Sequence, residues 1–336
     1  MTTSFTSHSP ANVVLEVKSL SKRFPIGGLF NKHEVHALTD VSVRLSRGRV
    51  VALVGESGSG KSTTARLIAR LMAPSSGEII FEGKDVLKTE PRNASLAYRG
   101  DVQMIFQDPF GSLNGSHTIG HHLERPLRIH KKASGSEVKE RIYELLATVG
   151  LNPPSDFADK YPHQPSGGQR QRVAFARALA VEPTVLLADE PISMLDVSIR
   201  MGVLNMMDQL KEERGIAYLY ITHDIASARY IGDEIVVMYA GRMVESAASL
   251  DLIAEPAHPY TKLLLSAVPN PETSRRTVAV RGEIPSLINP PPGCPFAPRC
   301  PSVMDICRQV MPGPTMVGAN HWAKCHLHGA GDAVAS

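Results

Sequence analysis

Eight consecutive residues of this 336-residue chain have the types and spacing of a phosphate-binding loop. The run is Gly55, Glu56, Ser57, Gly58, Ser59, Gly60, Lys61 and Ser62, and it fits the pattern G-x-x-x-x-G-K-[ST]. Its glycines allow successive backbone N–H groups to turn toward phosphates, and a helix that begins at the loop adds its positive dipole end. We expect Lys61 to reach the β- and γ-phosphates of a nucleotide and Ser62 to offer a hydroxyl to Mg²⁺. Thr63 belongs to the same predicted ATP-binding set.

Two adjacent carboxylates follow an apolar run later in the chain. Residues 185–188 read Val-Leu-Leu-Ala, which is typical of a buried strand, and Asp189 and Glu190 stand at its end. Downstream of a phosphate loop, the first carboxylate can hold Mg²⁺ through water, and the second can orient or deprotonate the attacking water. Without that loop, the simpler interpretation is an N-cap pair that opens the next helix. The combination predicts nucleotide hydrolysis with Glu190 as the candidate base.

A third motif indicates the class of ATPase. Residues 166–172 read Ser166, Gly167, Gly168, Gln169, Arg170, Gln171 and Arg172. With the phosphate loop and the Asp-Glu pair, this run resembles the ABC ATPase family over about residues 13–250. The resemblance implies an α/β fold with a P-loop NTPase (RecA-like) core, a mostly parallel sheet and a helical subdomain at about residues 108–180. It also implies ATP and Mg²⁺ as cofactors.

The same resemblance implies a second ABC ATPase subunit, either another copy of this chain or a different one. In the family, the Ser-Gly-Gly-Gln segment of one subunit caps the γ-phosphate that the other subunit binds. The physical device is a helix N-terminus that faces an anion. Residues 193–196 resemble the loop that crosses to the partner's site. The segment that would act on the partner's ATP is Ser166, Gly167, Gly168 and Gln169.

Three single positions match further family motifs. Gln107 resembles the glutamine that contacts Mg²⁺ and senses the membrane part of the transporter, and His223 resembles the histidine that contacts the γ-phosphate. Phe24 resembles the aromatic residue that stacks on adenine, with burial in the core as the alternative for an aromatic at a strand end. The predicted catalytic residues are Glu190, His223 and Gln107, and the predicted Mg²⁺ ligands are Ser62, Gln107 and, through water, Asp189.

The chain departs from the family pattern at four positions. Pro165 and Gln164 precede Ser166 where Leu and often Glu are usual, and proline constrains the residue before it to an extended conformation. This change puts in question how well the segment serves the partner's site. Ile192 and Met194 replace the usual Thr and Ala. Neither of these two changes touches a catalytic or phosphate-binding atom, so we expect this chain to have an active site of its own.

The C-terminal part of the sequence indicates which branch of this family the chain resembles. His258, Pro259, Tyr260 and Thr261, together with residues 294–301, resemble the tail of oligopeptide and dipeptide importer ATPases. The resemblance implies an ATPase that powers uptake through two separate membrane permease subunits, with solute delivered to them by an extracytoplasmic binding protein. The same branch includes importers of oligosaccharides and of nickel, and the sequence leaves the solute open. A DNA-repair or chromosome ATPase is disfavoured, because no coiled coil or zinc insertion separates Ser62 from Ser166.

All four cysteines lie in this tail, at Cys294, Cys300, Cys307 and Cys325, with the spacing C-x5-C-x6-C-x17-C. A proline-rich segment with little apolar core needs a cross-link such as a disulfide or a bound metal for stability, and disulfides are rare in a reducing compartment. Four thiolates suit Zn²⁺ or a [4Fe–4S] cluster, and these spacings are wider than the close pairs typical of zinc. Because importers of this branch are known with a cluster here, the resemblance implies iron–sulfur, with zinc or free thiols as alternatives. His321 and His326 are spare candidate ligands, although ordinary surface groups, or groups that contact the ligands, are the favoured interpretation.

Composition argues against several other roles. The chain has 36 basic and 33 acidic residues, a balance without the clustered basic face that nucleic-acid binding favours. No stretch reaches the roughly 20 apolar residues of a membrane-spanning helix, and the polar start of the chain lacks the pattern of a signal peptide. We therefore expect no nucleic-acid partner and a peripheral location on the cytoplasmic face of the cell membrane.

The pattern of apolar residues predicts the elements that carry these motifs. Alternating strands and helices predict a mostly parallel sheet with helices packed around it. Residues 13–17 alternate like an edge strand, and the accumulation of prolines after Leu250 predicts a loop-rich appendage that does not continue the sheet. We expect a flexible tail over residues 1–12, a nucleotide-binding domain over 13–250 and an importer-type region over 251–336. Further strands are predicted at residues 49–54, 78–81, 185–188 and 217–221, and helices at 62–72 and 138–149.

Overall fold

The computed structural model describes residues 12–27, 33–108, 111, 113–267 and 285–329. These residues form two compact units. The first unit takes its described residues from the ranges Met1–Ser46, Val50–Leu87 and Thr222–Ser336, and the second from Arg47–Arg49 and Lys88–Ile221. Residues 1–11 of the predicted flexible tail, residues 109, 110 and 112, and residues 268–284 of the proline-rich stretch lie outside the described residues.

Strands and helices alternate through most of the described chain. The strands in these ranges are β1 (Val13–Ile26), β2 (His33–Ser46), β3 (Val50–Val54), β4 (Ser76–Phe81), β5 (Lys84–Asp85), β6 (Val102–Ile105), β7 (Val185–Asp189), β8 (Ala217–Thr222), β9 (Glu234–Tyr239), β10 (Arg242–Ala248), β11 (Thr315–Gly318) and β12 (His321–Ala323). The helices there are α1 (Lys61–Ile68), α2 (Val86–Thr89), α3 (Leu96–Asp101), α4 (Ile119–Ile129), α5 (Glu137–Thr148), α6 (Pro154–Ala158), α7 (Gly167–Leu179), α8 (Val197–Arg214), α9 (Ile225–Ile231), α10 (Ser249–Ala254), α11 (Pro259–Ser266) and α12 (Asp305–Gln309). The strands predicted at residues 49–54, 78–81, 185–188 and 217–221 are confirmed.

An antiparallel sheet in the first unit has the strand order β2-β1-β4-β5. Val17 of β1 pairs with Val43 of β2 on one side and with Ile79 of β4 on the other. The prediction that residues 13–17 form an edge strand is therefore wrong. Alternation of apolar residues reports that one face of a strand is buried, and it carries no information about whether both edges have partners.

The first unit also contains β3, which pairs in parallel with β9. Next to β9 lies the antiparallel strand β10, and β12 pairs with β10 through Glu245 with Ala323 and Ser246 with Trp322. The tail therefore does continue this set of strands, contrary to the sequence prediction. The proline argument fails here because residues 315–323 contain no proline and return to the sheet after the proline-rich stretch.

The second unit contains the parallel strands β6, β7 and β8. The five residues of β7 and the six of β8 are all buried, as expected of strands covered on both faces. Helices α4 to α7 pack on one another in the same unit, with Leu123, Leu127, Leu145 and Leu146 in their core. The parallel pairings in both units confirm the predicted α/β class.

Helix boundaries follow local backbone geometry. Helix α5 matches the predicted helix at residues 138–149 to within one residue. Helix α1 ends at Ile68, four residues before the predicted end, because Arg70 adopts a left-handed φ of 54° that a continuing helix does not allow. Along the described ranges, we find no helix with the length and apolar character needed to cross a membrane.

Candidate nucleotide site and cysteine cavity

The phosphate loop connects the end of β3 to the start of α1. Gly60 is the N-cap of α1 with a left-handed φ of 101°, and Gly58 has a φ of 78°. A Cβ on Gly55 would lie 2.2 Å from the Met238 carbonyl oxygen, and one on Gly60 would lie 2.8 Å from the Ala37 carbonyl oxygen. These positions require glycine, because a side chain would either collide with the neighbouring backbone or strain its own.

Lys61 begins α1 with its side chain folded against the loop. The residue is 4% exposed, and Nζ donates hydrogen bonds to the carbonyl oxygens of Gly55 at 2.7 Å and Glu56 at 2.9 Å. The buried ammonium is therefore hydrogen-bonded to the same loop whose backbone would surround the phosphates. The other predicted ATP-binding residues differ in exposure: Ser57 and Gly58 are exposed, Ser62 and Thr63 are half-buried and Ser59 is buried.

Two residues from the C-terminal part of the chain hold Glu56. The Tyr260 hydroxyl accepts a hydrogen bond from the Glu56 backbone N–H at 2.9 Å. The Arg299 guanidinium donates from both terminal nitrogens to the two carboxylate oxygens of Glu56, at 2.8 and 2.9 Å. The sequence does not predict these contacts, although both residues stand in tail motifs, Tyr260 in His-Pro-Tyr-Thr and Arg299 directly before Cys300.

The predicted hydrolytic residues of the second unit cluster at the ends of β6 and β7. Asp189 is the last residue of β7 and is 3% exposed. Glu190 follows with a left-handed φ of 47°, and its N–H donates to the Ile221 carbonyl oxygen at 2.9 Å. One Glu190 carboxylate oxygen, Oε2, accepts a hydrogen bond from Gln107 Nε2 at 3.0 Å. The structure thus brings the candidate base and the candidate glutamine into direct contact.

Ser166 caps helix α7 in the second unit. Its Oγ accepts from the Gln169 N–H at 3.3 Å, and Gln169 Oε1 accepts from the Ser166 N–H at 3.0 Å, which is a reciprocal capping box. Pro165 is buried directly before this cap and does not displace it. A Cβ on Gly168 would lie 2.4 Å from Ile199 Cγ2. The segment presents the first backbone N–H groups of a helix, as capping an anion requires.

The loop of residues 193–196 packs beside this helix start. Leu195 is buried, and its Cδ2 would lie 3.8 Å from a Cβ on Gly167. Asp196 is the N-cap of α8. Met194 and Val197 are 58% and 76% exposed, so two large apolar side chains face solvent close to the Ser166 segment.

His223 and Phe24 belong to the first unit and have exposed side chains. His223 follows β8 and precedes α9, whose N-cap Asp224 accepts hydrogen bonds from two backbone N–H groups. Phe24 lies near the end of β1 and is 38% exposed, with Lys22 Nζ 5.0 Å from the centroid of its ring. Phe24 is therefore not a core residue, and the alternative interpretation of it is wrong.

The four cysteines line one cavity in the first unit, together with His258 and Phe296, among others. All four are free thiols. The Cys294 N–H donates to the Cys307 carbonyl oxygen at 2.7 Å, and a Cβ on Gly293 would lie 2.3 Å from that same oxygen. Gly293 therefore allows the close approach that brings the segments of Cys294 and Cys307 together.

Burial shifts the pKa values of ionisable side chains that line this cavity. It raises the pKa of the Cys294 thiol to about 11 and also raises the pKa values of Cys300 and Cys325. Burial lowers the pKa of His258 to about 3, and His258 Nδ1 accepts the Tyr260 N–H at 3.0 Å, so this imidazole is neutral. In the part of the chain that the structure describes, no group of three or more His, Cys, Asp or Glu side chains is arranged to hold a metal ion.

The two spare histidines have different environments. His321 Nε2 lies 2.7 Å from a carboxylate oxygen of the buried Glu245, which also accepts the N–H groups of Ala257 and His258. His321 therefore serves to satisfy a buried carboxylate. His326 lines the cysteine cavity.

Two protein-family models match the chain. The ABC transporter model matches residues 38–193. The model of the oligopeptide/dipeptide transporter C-terminal region matches residues 244–307. The second match begins in β10 and ends at Cys307, so it includes the His-Pro-Tyr-Thr motif and three of the four cysteines.

Relatives with known names cover nearly the whole chain. Oligopeptide transport ATP-binding protein AppF of Bacillus subtilis is 42% identical over 322 residues, which is 94% of this chain and 97% of that protein. Dipeptide transport ATP-binding protein DppF of Haemophilus influenzae is 44% identical over 303 residues, which is 89% of this chain and 92% of that protein. Among solved structures, the ATP-binding cassette MJ0796, in a dimeric post-hydrolysis state bound to ADP and Pi, is 31% identical with a TM-score of 0.61. It covers 70% of this chain and 98% of its own.

Proposed function

We propose that this chain, which belongs to the ABC transporter family of ATP-binding proteins, powers the uptake of oligopeptides or dipeptides through separate membrane permeases. It is an ATPase of the ABC type, for which ATP and Mg²⁺ are the expected cofactors. The observation that carries the choice of solute is the match of residues 244–307 to the oligopeptide/dipeptide transporter C-terminal region. Relatives named for oligopeptide and dipeptide transport, similar over most of the chain, support it.

Residues of the first unit bind the nucleotide. The Lys61 ammonium, now hydrogen-bonded to loop carbonyls, would transfer its hydrogen bonds to the β- and γ-phosphates, and the Ser62 hydroxyl would be a ligand for Mg²⁺. The exposed ring of Phe24 offers a face on which adenine stacks. His223 contacts the γ-phosphate. The left-handed glycines of the loop support this assignment, because they let the backbone N–H groups converge.

Residues of the second unit carry the hydrolytic step. Glu190 orients the attacking water and accepts its proton as the water oxygen bonds to the γ-phosphorus and the bond to the β-phosphate oxygen breaks. Its hydrogen bond with Gln107 restricts the carboxylate to one orientation. Gln107 would also contact Mg²⁺, and Asp189 would hold the ion through water. The left-handed backbone at Glu190, rare for a residue with a side chain, supports a functional constraint at this position.

A second ABC ATPase subunit completes the site in this proposal. The segment from Ser166 to Gln169 acts on the nucleotide bound by that partner, which is either another copy of this chain or a distinct subunit. The capping box is intact although Pro165 precedes it, so the start of α7 is well formed, and this supports the role. The exposed Met194 and Val197 support a partner surface nearby, because large apolar side chains at that exposure favour burial against another chain.

The cysteine cavity is proposed to hold a [4Fe–4S] cluster, with zinc as the alternative. Four thiols around one cavity are a suitable donor set for either group. The spacing C-x5-C-x6-C-x17-C is wider than the close cysteine pairs typical of zinc sites, which favours the cluster. Cys294, Cys300, Cys307 and Cys325 would be the ligands. The group would order the C-terminal segment and takes no part in the hydrolytic step.

The proposed location is the cytoplasmic face of the cell membrane, where the chain binds two permease subunits. Solute reaches those permeases from an extracytoplasmic binding protein. Coupling of ATP hydrolysis to the permeases is proposed to begin near Gln107, since that residue contacts the candidate base. No nucleic acid is required at any step.

Uptake measurements test the proposed function. Cells that lack this chain should lose uptake of radiolabelled dipeptides or short oligopeptides, and the wild-type chain should restore it. Lys61→Ala should not restore uptake, whereas Lys84→Ala, which changes an exposed lysine on β5, should restore it fully. Loss of oligosaccharide or nickel uptake with normal peptide uptake would overturn the assignment of the solute.

A further inference from the structure

We propose that Arg299 is a positioning residue for nucleotide binding. Through Glu56 it holds the phosphate loop in its binding conformation, and it makes ATP affinity depend on the packing of the cysteine-lined segment. The inference rests on the proposed role of the loop as the ATP site. It adds Arg299, which lies 243 positions from Glu56 in the sequence, to the residues that determine ATP affinity.

The Arg299–Glu56 ion pair has a fixed geometry. Two guanidinium nitrogens donate to the two carboxylate oxygens at 2.8 and 2.9 Å, and the side chains are 10% and 27% exposed. The same Nη1 donates to the Tyr239 hydroxyl at 3.2 Å. A bidentate, largely buried pair fixes orientation as well as distance, which a single exposed contact does not.

Aromatic rings hold the guanidinium in place. Arg299 Cζ lies 5.7 Å from the ring centroid of Tyr239 and 5.9 Å from that of Phe296. Tyr260 packs on both rings, with centroid distances of 4.6 Å to Tyr239 and 5.4 Å to Phe296. Because Tyr239, Tyr260 and Phe296 are almost completely buried, the arginine has little freedom to follow a moving loop.

The contacts of Glu56 extend this control to Lys61. The Glu56 backbone N–H donates to Tyr260 Oη at 2.9 Å while its side chain is held by Arg299. Its carbonyl oxygen accepts from Lys61 Nζ at 2.9 Å. A displacement of Glu56 therefore moves a hydrogen-bond partner of the residue that is proposed to bind the β- and γ-phosphates.

The other end of this chain of contacts is the cysteine-lined segment. Arg299 ends the short 3-10 helix of Ala297–Arg299, which lies between Cys294 and Cys300. The Ala297 N–H donates to the Cys294 carbonyl oxygen at 3.0 Å, and the Cys300 N–H donates to the Ala297 carbonyl oxygen at 3.4 Å. A shift of either cysteine is therefore transmitted to Arg299 through one helical turn.

Equilibrium binding of MgATP to the full-length chain tests the proposal. Arg299→Gln should raise the Kd by about tenfold, which corresponds to about 1.4 kcal/mol of binding free energy. Arg299→Lys should fall between wild type and Arg299→Gln, because it keeps the charge and loses the bidentate fork. In ATPase assays KM should rise with the Kd, while kcat at saturating ATP stays within about twofold, since the hydrolytic groups are untouched.

A matched control separates positioning from general destabilisation. Arg44 donates to Glu16 at 2.6 Å, with side chains 21% and 18% exposed, in the antiparallel sheet of the same unit. Arg44→Gln should leave the Kd for MgATP unchanged. An equal rise of the Kd in Arg44→Gln would overturn the proposal, because any lost ion pair would then have the same effect.

Double variants test the route. Glu56→Gln should weaken binding, and adding Arg299→Gln to it should weaken binding no further, since both break one link. Gly293→Ala, which collides with the Cys307 carbonyl oxygen, should raise the Kd in the wild-type background and add little to Arg299→Gln. Fully additive effects would contradict a shared route.

The proposed function has its own readout in the same experiment. Lys61→Ala should abolish measurable binding, and failure of the wild-type chain to bind MgATP would overturn the proposed function itself. Normal binding by Arg299→Gln, with binding lost in Lys61→Ala, would overturn only the inference about Arg299.

Discussion

Gln107 Nε2 donates a hydrogen bond to Glu190 Oε2 at 3.0 Å, across 83 positions of sequence. The two residues follow the neighbouring parallel strands β6 and β7, whose register is fixed from Val102 with Val185 to Ile105 with Ala188. Parallel pairing brings the carboxyl ends of both strands to the same edge. The residue expected to sense the membrane partners is therefore in direct contact with the candidate base.

This contact predicts the effect of Gln107→Ala on turnover. Removing the amide frees the Glu190 carboxylate to rotate, and we expect kcat for ATP to fall by about tenfold, less than the ~10²–10⁴-fold that loss of a general base costs. Steady-state ATPase assays of the assembled transporter measure this. Gln103→Ala is the matched control, because Gln103 lies on β6, the strand that Gln107 follows, and hydrogen-bonds to Arg99 rather than to Glu190. An unchanged kcat in Gln107→Ala would contradict the role of the contact.

Gly168→Asp should impair turnover at the partner's nucleotide while this chain keeps its own ATP binding. The substitution puts a negative charge at the helix start that is proposed to face the partner's γ-phosphate, so the carboxylate would compete for the same N–H groups and repel the phosphate. Single-turnover hydrolysis in a complex with a distinct second subunit measures the effect site by site. If the complex is a homodimer, both sites should fail together.

Packing must be separated from charge at this position, because a Cβ on Gly168 would lie 2.4 Å from Ile199 Cγ2. The double variant Gly168→Ala with Ile199→Ala removes that collision and adds no charge. We expect it to retain more turnover than Gly168→Asp. Normal transport and normal turnover in Gly168→Asp would rule out a site composed of two subunits.

Alkylation of the metal-free chain should reveal the buried thiols. Because burial raises the pKa of Cys294 to about 11, the reactive thiolate is scarce near pH 8, and its reaction with iodoacetamide should keep accelerating up to about pH 10. The unfolded chain is the control, in which the rate should level off near the ordinary thiol pKa of about 8.5. The same pKa shift predicts a pH-dependent stability. Because the folded chain retains the Cys294 proton, the free energy of unfolding should fall as the pH rises from about 8.5 to about 11. Equal alkylation profiles for folded and unfolded protein would contradict the burial of Cys294.

Anaerobic purification should give brown protein with about four irons per chain, the stoichiometry of a [4Fe–4S] cluster. Cys300→Ser should bleach the colour and make the C-terminal segment more sensitive to protease. Lys61-dependent MgATP binding should persist in that variant, although we expect it to be weaker because Cys300 adjoins Arg299. Colourless protein with one equivalent of zinc would identify the alternative site, and metal-free protein with four titratable thiols would end the metal proposal.

Local patterns in the sequence predict the parts of this molecule that are themselves local. The phosphate loop and the strand before it each depend on residues within a few positions of one another, and the structure places the loop between β3 and α1 as expected. The glycine spacing is informative because each glycine meets a backbone restriction that other residues cannot satisfy.

Contacts between distant segments escape the same reasoning. The Arg299–Glu56 pair and the pairing of β12 with β10 depend on how the chain returns after the proline-rich stretch. Proline density indicates where strands cannot form, and it is silent about the residues beyond. The prediction that β1 is an edge strand fails because the alternation of apolar residues within one strand does not indicate which strands pair with it.

The central proposal is that Glu190 is the base for ATP hydrolysis by this chain. The most direct measurement compares MgATP binding and ATP turnover in Glu190→Gln, which is nearly isosteric and can still accept the Gln107 hydrogen bond. We expect the Kd to stay within about threefold of wild type and kcat to fall by about 10²–10⁴-fold, because an amide cannot accept the proton of water. ATPase activity near that of wild type in Glu190→Gln would contradict the account.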